Sequence, residues 1–248
     1  MADADALAAG AGRSSASDLA ALAHLAVIVP IGPDDECWRG LLNDLSALPA
    51  TAEVCLVRCT GSVNTGDTEP RPSTRSACWR HLITLPGRAV QQNHGARASA
   101  RRWLWFVHAD SRLAPTTLRA LARFIGDDAS SGIGYFDLAF HDGSALMRLN
   151  SGGAWLRSHL LKLPFGDQGL LMRRTHFDQL GGFDETCGPG EDHALIWRAR
   201  ALRLPIQPVG AALYTSARKY SERGWLATTA HHLIMSWRQA RLFSRQSR

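Results

Sequence analysis

Nowhere in the 248 residues does an apolar run approach the ~20 residues that a membrane-spanning helix needs. Cysteine is scarce and poorly spaced for structure. The five residues at 37, 55, 59, 78 and 187 form no metal-type pair of pairs, and their odd number argues against a disulfide framework as well as a zinc ribbon. Such usage fits a reducing compartment, so a cytoplasmic location is expected. The start of the chain lacks the positive charge of a secretory signal. Asp3 and Asp5 stand there instead, and Gly10 and Gly12 interrupt any apolar core. Residues 1–22, rich in Ala, Gly and Ser, read as a disordered leader. Helix-turn-helix, RNA-recognition and zinc patterns are also missing. The basic charge and eight Trp therefore do not amount to a nucleic-acid-binding protein, and no nucleic acid partner is expected.

What remains is an ordinary globular composition, enough for one α/β domain with a sizeable core. The formal charge is +6, with many Arg in the second half, which suits a phosphorylated ligand or an anionic membrane surface.

The run His24 to Pro30 has the look of a short buried strand. Pro33 to Glu36 then opens a helix with Trp38, Leu41, Leu42, Leu45 and Leu48 at helical spacing. Glu53 to Val57 predicts a second strand, a long polar loop runs from Cys59 to about Ser76, and His81 to Leu85 predicts a third strand. A small-residue helix from Arg88 and an aromatic strand from Trp103 to Val107 complete a β-α-β-β-α-β order. A mostly parallel sheet is its economical fold. Further on, Pro115 to Ile125 reads as a helix, Gly134 to Phe140 as a strand, and Ser144 to Leu161 as an amphipathic helix. Gly169 to Met172 predicts another strand and Thr175 to Leu180 a short helix. The helix after Glu191-Asp192 is expected to bury Leu195, Ala199 and Leu202.

Two places carry chemistry. His108-Ala109-Asp110 ends the aromatic strand, and in open α/β sheets ligands settle outside the carboxyl ends of strands. Asp110 is thus either a contact for metal or polar substrate or the start of a turn before Pro115. Glu191 and Asp192 open a helix after Gly188-Pro189-Gly190. There they cap free amides, or serve as a general base that the helix dipole keeps ionised.

In order, GRAVQQNHGA from Gly87, FVHADSRL from Phe106, GDQ at 166–168, GGF at 181–183, ED at 191–192 and Ser216-Ala217-Arg218-Lys219-Tyr220 resemble family-2 glycosyltransferases of the nucleotide-binding glycosyltransferase A (GT-A) fold. The likeness is to a microbial branch of small single-domain transferases and runs from about Ala26 to Phe243. It implies an α/β, Rossmann-like, mostly parallel sheet flanked by helices, with a helical C-terminal segment. It also implies one domain over residues 23–248: a nucleotide-binding half at 23–113, an acceptor and catalytic half at 114–222, and an amphipathic helix at 223–248.

The activity implied is inverting transfer of a hexosyl or related group from a nucleotide-diphosphate sugar to a hydroxyl acceptor, with Mg²⁺ or Mn²⁺. Asp110 matches the last acid of the Asp-any-Asp motif that holds the metal, and His108 replaces the first. Asp192 matches the catalytic base, and Glu191 could share or exchange that role. Asp167 and Gln168 match a polar pair on the substrate side. Arg88 and Arg218, with Lys219 and Arg223, are candidates for the nucleotide or diphosphate. The helix from Gly224 to Phe243 is expected to pack on the core or to meet an anionic membrane near a lipid-linked acceptor.

One departure stands out. Where the family has a carboxylate that recognises the donor base, this chain has Arg58. A guanidinium has no acceptor, but it can give two hydrogen bonds to guanine O6 and N7, which favours a GDP-sugar; the other reading is that Arg58 points away and a backbone carbonyl reads the base. The same substitution motivates the alternative of a catalytically degenerate relative that binds a sugar nucleotide or a partner without turnover.

Overall fold

The computed structural model describes residues 20–33, 35–61, 77–127 and 131–218. The leader expected at 1–22 therefore lies outside the described residues up to residue 19. Most of the polar loop after Cys59 and the C-terminal helix from Gly224 also lie outside them.

In chain order the elements are β1 (Leu25–Ile31), α1 (Trp38–Leu45), β2 (Glu53–Cys59), β3 (Cys78–Thr84), α2 (Arg88–Ala98) and β4 (Trp103–Phe106). They continue with α3 (Pro115–Gly126), β5 (Ile133–Phe140), α4 (Met147–Leu160), a 3-10 turn (Gly166–Gln168) and β6 (Leu170–Arg173). The last are α5 (Arg174–Gln179), α6 (Glu191–Ala201) and β7 (Ile206–Thr215). The strands form one sheet in the order β3-β2-β1-β4-β6-β5-β7. Pairing is parallel throughout β3, β2, β1 and β4, and between β5 and β7. Only β6 runs against its neighbours, β4 and β5.

β1 is buried at all seven positions, as a central strand covered on both faces must be. One face carries Val27, Val29, Leu56, Trp103 and Trp105 beneath α1 and α3. The other carries Ile28, Val57, Leu104 and Phe106 beneath α2, α5 and α6. This is a three-layer α/β/α arrangement, the fold class expected from the sequence.

Two local expectations are corrected. Leu202 is 47% exposed, because α6 ends at Ala201 and the chain turns away through Arg203, whose φ is +55°. The face of α4 opposite the core is not polar. Met147, Ala154 and Ser158 are buried, while Leu149, Leu156 and Leu160 point to solvent.

β6 sets the site. Because it enters the sheet antiparallel beside β4, its first residue starts at the edge where β4 finishes. The Gly166–Gln168 turn is therefore delivered directly beside His108-Ala109-Asp110.

Candidate active site at the carboxyl edge of the sheet

Three segments distant in sequence meet at one glycine. A Cβ built on Gly166 would lie 2.9 Å from Asp192 Oδ2 and 3.1 Å from His108 Nε2, so the turn before β6 is wedged between the end of β4 and the start of α6. The Gly166 N–H donates to Asp192 Oδ2 at 2.5 Å, and the His193 N–H donates to Asp192 Oδ1 at 2.9 Å.

These bonds contribute to the charge state of Asp192. Burial pushes its carboxyl upward. His193, the Gly166 amide, Arg88 and the His193 amide outweigh that and hold it below the ordinary 3.8. Burial also holds the His193 ring below its ordinary 6.5, although Asp192 pulls the other way. At neutral pH the ring is therefore neutral. Glu191 behaves oppositely. It is 4% exposed, and burial followed by the neighbouring Asp192 raises it above 4.5 against the pull of Arg88, whose Nε is 3.6 Å from Glu191 Oε1. The two adjacent carboxyls are thus driven apart, a pattern that separates acid and base roles.

The helix that carries them is pinned from behind. Asn93 of α2 gives its Nδ2 to Phe183 O at 2.8 Å and accepts the Phe183 N–H at 2.9 Å, pairing with the Gly-Gly-Phe turn as a second backbone would. Gly182 is needed there. Its φ is +71°, and a Cβ would fall 2.8 Å from Asn93 Oδ1. Arg198 then ties α6 to the same turn through Leu180 O and Gly182 O, both at 2.6 Å.

In front of β1 and β4 opens a cleft of about 220 Å³. It is lined by Pro30, Gly32, Asp35, Arg88, Gln91, His108, Ala109, Asp110 and Arg218. The structure thus brings Arg88, His108, Asp110 and Arg218 together, as the motifs implied, and adds Asp35 and Gln91. Lys219 and Arg223 lie outside the described residues. Among the described residues, no group of three or more His, Cys, Asp or Glu converges as a metal cage. That donor set does not suit a structural zinc or calcium site. It does suit Mg²⁺ or Mn²⁺, which takes one or two carboxylates and completes its shell with phosphate oxygens and water.

Three expected residues are not among those lining the cleft. Arg58 does not line the cleft. Side chains alternate along a strand, so with Val57 facing α2, Arg58 faces α1, and its guanidinium lies 4.9 Å above the Trp38 ring. Gln168 is fully buried. Its Oε1 accepts from Arg157 Nη2 at 3.0 Å and from the Phe165 N–H at 3.2 Å, and its Nε2 donates to Phe136 O at 3.0 Å. It braces the turn and, fully buried, is out of reach of a substrate. Asp167, beside it, is only partly exposed.

Residues without a motif complete the wall. The Arg157 guanidinium stacks 3.2 Å from the Phe165 ring centre, and that ring lies 3.7 Å from His193. The stack links α4 to the residue after Asp192. Its only sequence signal was the FGDQ run itself.

No family model and no curated protein matches this chain. Solved structures do. S. aureus TarS 1-349 aligns with a TM-score of 0.61 at 19% identity, over 77% of this chain and 60% of that one. Its complex with UDP-GlcNAc aligns at 0.54 and 19%, over 78% and 56%. The mannosyltransferase PcManGT from Pyrobaculum calidifontis, in complex with GDP-Man and Mn²⁺, aligns at 0.57 and 17%, over 88% and 64%. The chain therefore spans less than two thirds of these proteins, and the similarity defines a fold. That fold is of the GT-A type.

Proposed function

We propose that the chain is a glycosyltransferase that moves a sugar from a nucleotide-diphosphate donor to a hydroxyl acceptor. The observation that carries this reading is the meeting of His108, Gly166 and Asp192 at one point, beside a cleft bearing Asp110, Arg88 and Arg218. It is supported by the ligands named for the structural neighbours, UDP and UDP-GlcNAc for TarS, and GDP-Man with Mn²⁺ for PcManGT.

Asp192 is the general base in this proposal. It is ionised at neutral pH, aimed by the Gly166 amide, and takes the proton of the acceptor hydroxyl as that oxygen attacks the anomeric carbon from the side opposite the diphosphate. Inversion follows from that single displacement. Glu191 is the protonation-prone neighbour that positions Arg88. Arg88 and Arg218 counter the negative charge that grows on the leaving diphosphate. Asp110 would hold a divalent cation, with His108 beside it, and such a cation supplies further neutralisation of the diphosphate when bound.

The test is a thermal-shift panel of UDP, GDP, CDP and dTDP with and without Mn²⁺, followed by turnover of labelled donors. A ligand at ~100 times its dissociation constant adds about 2.7 kcal/mol of stability. No shift with any of the four would end the reading. A shift without turnover would favour the non-catalytic binder, which Arg58 in place of an acid also motivates.

A further inference from the structure

Gln91 has no part in the chemistry above, yet it is among the most constrained side chains of the cleft. It is 5% exposed and lines the cleft. Its Nε2 donates to Ile31 O at 2.8 Å and to Val57 O at 2.6 Å, at the carboxyl ends of β1 and β2. A carbonyl only accepts, so the two bonds fix which end of the amide is nitrogen and use both of its hydrogens. What Gln91 has left is its acceptor, Oε1. α2 comes this close because of Gly95, one turn further along the same face. A Cβ there would lie 2.7 Å from Ile28 Cγ2 and 3.0 Å from Val57 Cγ2.

We propose that Gln91 reads the base of the donor, its Oε1 accepting the ring N–H that uracil presents at N3 and guanine at N1. This rests on the reading of the cleft as a nucleotide-sugar site. Position along the sheet edge carries the assignment. Gln91 is held at β1 and β2, Asp110 follows β4, and Gly166 with Asp192 stands at β6, in the order β2-β1-β4-β6. With strands about 4.8 Å apart, the span from Gln91 to the β6 end is ~12 Å. A nucleoside diphosphate laid along that edge puts its charged end at Asp110, Arg88 and Arg218, its sugar at Asp192 and its base at Gln91. Gln91 is the one neutral amide side chain among the described residues lining the cleft. Arg58, the nearest polar side chain on β2, faces Trp38. Asp35 is the competing acceptor, and its Oδ1 already receives the Cys37 N–H at 2.9 Å.

Dissociation constants for UDP, GDP, CDP and inorganic pyrophosphate, each with Mn²⁺, test this in the parent protein, Gln91→Met and Asp35→Asn. The parent is expected to bind UDP or GDP at least tenfold more tightly than CDP, whose ring N3 accepts and does not donate. Gln91→Met is expected to erase that preference and leave pyrophosphate binding unchanged. CDP binding the parent as well as both UDP and GDP overturns the proposal whether or not the variant folds. So does an equal loss of UDP and pyrophosphate in Gln91→Met, which marks a purely structural brace, or loss of the base preference in Asp35→Asn alone. If neither the three nucleotides nor pyrophosphate binds the parent, the nucleotide-sugar reading fails and this proposal with it.

Discussion

The main-chain N–H of Gly166 donates to Asp192 Oδ2 at 2.5 Å, so the orientation of the proposed base is set by backbone from another segment and not by a partner side chain. A side-chain partner could be removed by one substitution. This one is built into the turn before β6.

Asp192→Asn keeps the shape of the side chain and removes its basicity. Nucleotide binding is expected to persist, while turnover falls by roughly 10² to 10⁴, as for loss of a general base. Calorimetric titration and a donor-turnover assay separate the two effects. Full turnover in Asp192→Asn together with its loss in Glu191→Gln would transfer the role to Glu191. Because the folded carboxyl of Asp192 lies below 3.8, its ionisation would limit the proposed turnover of the parent protein only beneath that pH. The acid limb of kcat/KM should show no Asp192 ionisation between pH 5 and 7.

Gly166→Ala tests the meeting of the three segments. Its added methyl would be 2.9 Å from Asp192 Oδ2 and 3.1 Å from His108 Nε2. Overpacking of this kind costs typically 1 to 3 kcal/mol, and here it displaces the base. Turnover is expected to fall further than nucleotide affinity. A variant with parental kcat would remove Gly166 from the site.

Glu191 gives a prediction about stability and pH. Its folded carboxyl is raised above 4.5, so the folded protein binds more protons than the unfolded chain in the window above that value. Stability linked to this group is complete below pH 4.5 and is lost as pH rises through the folded value. Glu191→Gln should therefore lose less stability than the parent between pH 4.5 and neutrality. Urea midpoints at pH 4, 5, 6 and 7 check this, and parallel slopes for the two proteins would contradict it.

Asp110→Ala is expected to abolish the Mn²⁺-dependent part of nucleotide binding without unfolding the domain, since Asp110 is partly exposed at the sheet edge. The measurement is UDP and GDP affinity with Mn²⁺ and with chelator. Equal Mn²⁺ enhancement in parent and variant would show that Asp110 holds no metal.

The segment after Asp110 is anchored by Asp44, which accepts from Arg112 Nε at 2.7 Å and Nη2 at 3.0 Å and from the Leu113 N–H at 2.9 Å. Asp44→Ala leaves those donors without their acceptor, at about 1 to 3 kcal/mol. A lower thermal midpoint with weakened nucleotide binding is expected. Unchanged affinity would mean that Asp110 is positioned independently of this anchor.

The elements legible in the sequence were those whose pattern is local. The apolar run of β1, the Leu41–Leu45 spacing of α1 and the small-residue helix before an aromatic strand each carry their own signal. β7 escaped because Ile206–Thr215 contains Pro208 and Gly210 and is only partly buried, with neither clean alternation nor a continuous apolar run. The reversed direction of β6 could not be read from four residues. Asp110 and Arg88 could be placed at one edge because each follows or begins a recognisable element, and Arg218 only because its segment matches the motif order of the family the chain resembles. The role of Gln168 could not, since a Gly-Asp-Gln turn reads the same whether its amide faces substrate or braces the wall. Arg58 was misleading for a related reason. Its place in the motif was plain, but which face of β2 it takes depends on the pleat and on Trp38.

β6 has paired strands on both sides and buries Leu170, Leu171 and Met172 almost completely. Amide protons in such a strand exchange with solvent only through the largest openings of a domain. The turn presenting the Gly166 amide enters that strand two residues after Gln168. In hydrogen–deuterium exchange, then, the wall that carries the Gly166 turn should be labelled on the timescale of global unfolding, while the opposite bank of the cleft, around Gly32 and Asp35, is expected to be labelled earlier.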